Sequence, residues 1–119
     1  MNVVKIRKSG TFYQVFDDDS YILYYLFNYS IKNNKVGFPK SVLNKVINKL
    51  DDLKINYEVI NENINNNFKN LNKYNKYREL GFNKYNKDIH YSNLIDKIKN
   101  IDEEKLDKIL ETIEGILNE

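Results

Sequence analysis

The sequence predicts an α/β (α+β) fold: a mixed sheet of about four strands flanked by helices, with a helical C-terminal extension. Three observations carry that expectation. Short β-branched or aromatic segments near the start of the chain, and an alternating one at residues 55–60, read as strands. Val42, Leu43, Val46, Ile47 and Leu50 recur at helical spacing, with polar residues between them. Leu106, Ile109, Leu110, Ile113 and Leu117 form a second such stripe near the end.

The elements follow in order. Residues 3–8 form a first strand, Gly10 allows a tight turn, and residues 11–16 form a second strand. Strand side chains alternate between faces, so Phe12, Gln14 and Phe16 share one face and Tyr13 and Val15 the other. Asp17, Asp18, Asp19 and Ser20 then precede an apolar run. Acids and a hydroxyl there suit a helix N-terminus, which predicts a helix over 19–29. The triplet lacks the spaced oxygen ligands and turn glycine of a calcium loop, so capping accounts for it and no metal site is expected.

Residues 30–36 read as a strand containing or flanking a turn at Asn33-Asn34, and Gly37-Phe38-Pro39 reads as a break before the helix of residues 42–50. The strand at 55–60 completes a β-β-α-β-α-β unit over residues 1–60. Residues 61–67 read as an Asn-rich linker. Residues 74–85 are mixed in pattern, with Gly81 interrupting any helix there. Leu94, Ile95, Ile98 and Ile101 suggest one helix, and Asp102 is placed to cap the last one. Residues 61–119 are expected to pack on the 1–60 core as one domain.

A chain of 119 residues suits one small domain that buries a core without staples. With no Cys, disulfides, zinc–thiolate sites and thiol nucleophiles are excluded. No apolar run is long enough to cross a membrane, and the first residues lack the apolar segment of a signal peptide, so a cytoplasmic protein is the expectation. Heavy use of Asn, Lys, Ile and Tyr matches AT-rich coding rather than any one chemistry. The net charge of +2 is uneven: residues 65–87 carry six Lys/Arg and one Asp/Glu, while residues 88–119 carry four and nine.

Several landmarks occur together in one order: GTFYQVF, then DDDS, then VGFP, then a helix and NKLDDLKINYEVI. In that order they resemble the N-terminal mismatch-recognition domain of the MutS family of DNA mismatch repair proteins, over about residues 4–60. The resemblance implies that Phe12 wedges into a duplex at a mispaired base and that Gln14, two positions on, hydrogen-bonds to the base. Gln14 stands where the family has Glu, and Thr11 where it has Asp. Glycines at positions 10, 37, 81 and 115 cannot build a G-x-x-x-x-G-K-[ST] phosphate loop, so a nucleotide-driven sensor is excluded.

The segment from Phe68 to Lys87 offers a second set of contacts. Lys69, Lys73, Lys76, Arg78, Lys84 and Lys87 are placed to meet phosphates, and Tyr74, Tyr77, Phe82 and Tyr85 to stack on bases. The other reading of that segment is a solvated surface with its tyrosines packed inward. His90, the one histidine, has no nucleophile or orienting carboxylate placed with it by any motif, so no catalytic residue and no cofactor is expected.

The sequence thus predicts a non-enzymatic module that binds DNA, mispaired or distorted, through Phe12, Gln14 and the basic segment. The alternative is a protein-interaction module, an adaptor or inhibitor, that keeps the fold without DNA. Single-stranded DNA or RNA is a third partner class. The acidic C-terminal helix either covers the sheet, forms a dimer seam or binds a protein partner.

Overall fold

The computed structural model describes residues 2–118. Five strands and four α-helices occur among them: β1 (Val4–Ser9), β2 (Phe12–Phe16), α1 (Asp18–Phe27), β3 (Lys35–Pro39), α2 (Leu43–Asp52), β4 (Tyr57–Val59), β5 (Ile64–Asn66), α3 (Tyr74–Lys99) and α4 (Glu103–Leu117). The fold class is the expected one, a mixed sheet with helices, with one strand more than expected. The sheet order is β3-β2-β1-β4-β5. Only β1–β4 is parallel; the other neighbours pair antiparallel.

One face of the sheet makes the core. Val4, Ile6, Tyr13, Val15, Val36, Phe38, Tyr57 and Val59 point inward and pack with Ile22 and Leu23 of α1 and Leu43, Val46 and Leu50 of α2. The α2 stripe read from the sequence is therefore its buried side. Core tyrosines need a partner for the hydroxyl. Tyr13 donates to Glu62 Oε1 at 2.9 Å, Tyr57 to Asp51 Oδ1 at 3.0 Å and Tyr74 to Asp19 Oδ1 at 2.5 Å.

Four expectations are corrected. The strand expected at 30–36 starts only after the Asn33-Asn34 turn, where both residues have positive φ, as a two-residue hairpin demands. It then runs through Gly37-Phe38-Pro39 instead of breaking there. Because β3 is an edge strand and Pro39 its last residue, the missing N–H of Pro39 breaks no ladder.

The Asn-rich stretch is not a linker. Asn61 and Asn63 take the positive φ of the turn from β4 into β5. Asn56 is buried and tied to it: its Nδ2 donates to Asn67 Oδ1, and its Oδ1 accepts from the Phe68 N–H.

Nor does Gly81 interrupt the helix there. It lies inside α3, buried where the helix crosses Tyr21 of α1.

The acidic triplet does not cap as expected. The side chain of Asp17, the N-cap of α1, makes no capping hydrogen bond. Asp18 and Asp19 complement the helix dipole, while the Asp19 carboxylate accepts from the Lys5 N–H at 3.0 Å and from Tyr74.

The chain divides into two compact units, Met1–Tyr85 and Asn86–Glu119, and the boundary falls within α3. The second unit holds the end of α3, a turn and α4, with Asp102 capping α4 by accepting from the Lys105 N–H at 3.0 Å, as its sequence predicts. No helix among the described residues is long and apolar enough to cross a membrane.

Candidate nucleic-acid interface

With Tyr13 and Val15 locked into the core, their strand neighbours have to face the other way. Phe12 is 49% exposed and Phe16 37%, with the half-buried Gln14 between them. Within the first unit the helices leave this outer sheet face open to solvent.

The register supplies the neighbours of each side chain. Phe12 lies between Ser9 and Pro39, Gln14 between Arg7 and Gly37, and Phe16 opposite Lys35. A Cβ at Gly37 would reach 3.9 Å from Gln14 Cγ, so the absence of a side chain there leaves the Gln14 amide uncovered on that flank. Two shallow hollows flank β2. One of about 450 Å³ is lined by Gln14, Gly37, Lys35, Lys32, Ser30 and Tyr29. The other, of about 260 Å³, is lined by Lys5, Arg7, Phe16 and Asp17 to Asp19.

Charge is distributed along the strand. Asp17 and Asp18 follow Phe16 directly, Lys5 and Arg7 share its hollow and Lys35 lies opposite it, while Lys8 pairs with Tyr13, on the other face from Phe12. Lys40 donates its backbone N–H to Thr11, and the Lys8 ammonium beside it pushes the Lys40 side-chain pKa below the ordinary lysine value. Two cations held together favour an anion. The Glu62 carboxylate is the anion beside them.

The basic segment is a separate feature. In the first unit α3 packs on α1, the helical side of the sheet, so its cations do not join Phe12 and Gln14 on one surface. Lys73 and Lys76 are exposed, Arg78 and Lys84 are half-buried, and Lys69 precedes the helix in a short turn. Lys84 is already engaged, with Nζ 3.2 Å from Asn28 Oδ1 and 4.3 Å from the centre of the Tyr24 ring. Lys87 belongs to the second unit, as does the exposed His90.

The tyrosines proposed to stack are used inside the protein. Tyr74 is buried in the core, so it cannot meet a base without leaving it. Tyr77 packs at 5.9 Å against Tyr25, and Tyr85 at 5.6 Å and 5.4 Å against Tyr21 and Tyr24. Only the Phe82 ring, edge-on to Tyr21, is substantially exposed among these four.

Sequence reasoning placed the Phe12 and Gln14 face but missed its cations, Lys5, Arg7 and Lys35. The signal was present in β1, where Lys5 and Arg7 alternate with Val4 and Ile6. No protein-family model, curated protein or solved structure matches the chain, so the MutS resemblance stands on its sequence landmarks alone.

Proposed function

We propose that the chain is a DNA-binding module that acts by binding rather than by chemistry and uses the open sheet face around Phe12. One observation carries this reading: the Phe12 ring is half exposed on the face that also holds Gln14 and Arg7. An exposed ring beside an amide and a guanidinium suits a distorted or mispaired duplex. The ring enters the stack, the amide donates to and accepts from a base edge, and the cation meets a phosphate. Unstacking costs least where pairing is already poor, which gives selectivity for a mispair.

Fluorescence anisotropy with matched, mispaired and single-stranded oligonucleotides at two salt concentrations tests this. Mispaired duplex should bind best, and affinity should fall as salt rises. Preference for single strands would move the reading to base stacking on Phe12 and Phe16, which lie about 13 Å apart along β2. No binding at low salt would remove it in favour of a protein-interaction module, for which the exposed apolar stripe of α4 speaks.

A further inference from the structure

The second unit, Asn86–Glu119, has no interior of its own. Among its described residues none is buried, and the only apolar side chains half-withdrawn from water, Ile98, Ile101 and Leu106, bracket the turn between its helices. On α4, Ile109, Leu110, Ile113, Ile116 and Leu117 are all exposed, and four more large apolar side chains are exposed on α3 between Ile89 and Ile95. A 15-residue helix such as α4 is marginal in water without a packed face. Its order calls for a covering surface.

We propose that this surface is α4 of a second copy of the chain, the two helices packing antiparallel across a two-fold axis. Three observations support a second copy. First, the seam reads alike in both directions. Leu106, Leu110, Ile113 and Leu117 are spaced four, three and four residues apart, so an antiparallel pair sets Leu106 against Leu117 and Leu110 against Ile113.

Second, between Leu106 and Leu117 that register opposes no like charges. It places Lys108 at the level of Gly115, Lys105 at that of Asn118 and Glu114 at that of Ile109. Gly115, around which an added Cβ would meet nothing in the single chain, leaves room for the Lys108 stem.

Third, α4 by itself exposes Leu110 at 44%, Ile113 at 39%, Ile116 at 63% and Leu117 at 78%, on the order of 500 Å² with Ile109 and so about 1,000 Å² for two copies, the size at which a specific interface begins. The Glu104–Lys108 pair, 4.0 Å apart, is solvated and does not depend on the pairing.

Sedimentation equilibrium of the full chain tests the proposal, with helicity at 222 nm followed over the same concentrations. A monomer–dimer equilibrium with helicity rising on association is expected. The double substitution Leu110→Glu, Ile113→Glu should raise the dimer dissociation constant at least about a thousandfold, since each copy buries two fewer apolar side chains and adds two charges. The near-UV signal of the tyrosines in the first unit reports whether the variant keeps its fold, and Glu111→Gln, off the seam, should dimerise like the parent. A chain that stays monomeric up to about 200 µM overturns the proposal, as does a dimer that the double substitution leaves intact. Trimers or larger assemblies overturn it too, because a two-fold seam closes at two.

Discussion

A Cβ built on Gly81 would lie 2.0 Å from the carbonyl oxygen of Tyr21, so α3 meets α1 backbone against backbone. The rings of Phe82 and Tyr85 close around the same residue, at 5.3 Å and 5.6 Å from the Tyr21 ring. Gly81→Ala should therefore destabilise the first unit by about 2–3 kcal/mol, despite the better helix propensity of Ala. Urea denaturation followed by tyrosine fluorescence measures this; an unchanged midpoint would show that the two helices can separate at no cost.

The Tyr74–Asp19 hydrogen bond ties the start of α3 to the start of α1. Burial holds the Asp19 carboxyl above the ordinary carboxylate pKa, more than the hydrogen bonds from Tyr74 and Lys5 pull it down. With the folded pKa above the unfolded one, the folded state binds more protons between the two values. The stability that Asp19 confers is full below its unfolded pKa and is lost as pH rises through its folded pKa. Asp19→Asn should remove that slope, so the parent gains stability relative to the variant as pH falls from about 7 to about 4. Tyr74→Phe should cost about 1.5–3 kcal/mol at neutral pH and steepen the slope, because a hydrogen bond that favoured the carboxylate is gone. Urea midpoints across that pH range decide both.

At the alkaline end the sign is the same but the groups differ. Burial, then the hydrogen bond to Asp51 and its charge, push the Tyr57 pKa from 10.0 up to about 12. Tyr13 and Tyr74 are also raised, by burial first and then by Glu62 and Asp19. Each phenol keeps its proton in the folded state past the point where the unfolded chain loses it. Stability from Tyr57 is thus present below pH 10.0 and lost as pH rises toward 12. A phenolate absorbance titration should show part of the ten tyrosines ionising late, together with loss of far-UV signal. A single ionisation near the ordinary tyrosine value with the fold intact would contradict the buried pairs.

These features mark how far the sequence could be read. Alternation placed β1, β2 and β4, and it put Phe12 and Gln14 on the outer face, because a strand that buries Tyr13 has no other choice. Helical spacing found α2 and α4. Glycine, proline and asparagine misled wherever tertiary context overrode local preference. Gly37 and Pro39 are tolerated because β3 is an edge, and Gly81 is required by a crossing helix. Asn61 and Asn63 turn the chain rather than loosen it. The tyrosines of α3 were ambiguous for a different reason: a ring that stacks on a base and one that packs on α1 share the same composition, and only the position of Tyr21, Tyr24 and Tyr25 decides between them.

Reversing charge on the open face separates attraction from insertion. Arg7→Glu should weaken binding of matched and mispaired duplexes alike and lower the salt slope by about one, since Arg7 lies on the face without touching the core. Lys76→Glu, on α3, should leave affinity unchanged, because the helical side is not part of the proposed surface. Equal losses from both substitutions, read by anisotropy at two salt concentrations, would place the nucleic acid across both sides and displace the sheet-face reading.

Phe12 and Tyr13 are adjacent and face opposite ways, which makes them a matched pair for the last test. Tyr13 is 3% exposed, stacks at 5.9 Å on Phe38 and donates to Glu62. Tyr13→Ala should cost about 3–5 kcal/mol of stability, the range for truncating a buried ring. Phe12→Ala removes a ring already half in water and should cost under about 1 kcal/mol. Binding should respond in the reverse sense: Phe12→Ala should lower the preference for a mispaired over a matched duplex by about tenfold while leaving matched-duplex affinity nearly unchanged, because only insertion at a weak base step uses the ring. A Phe12→Ala protein that keeps its fold and its mispair preference would leave phosphate attraction alone to account for binding.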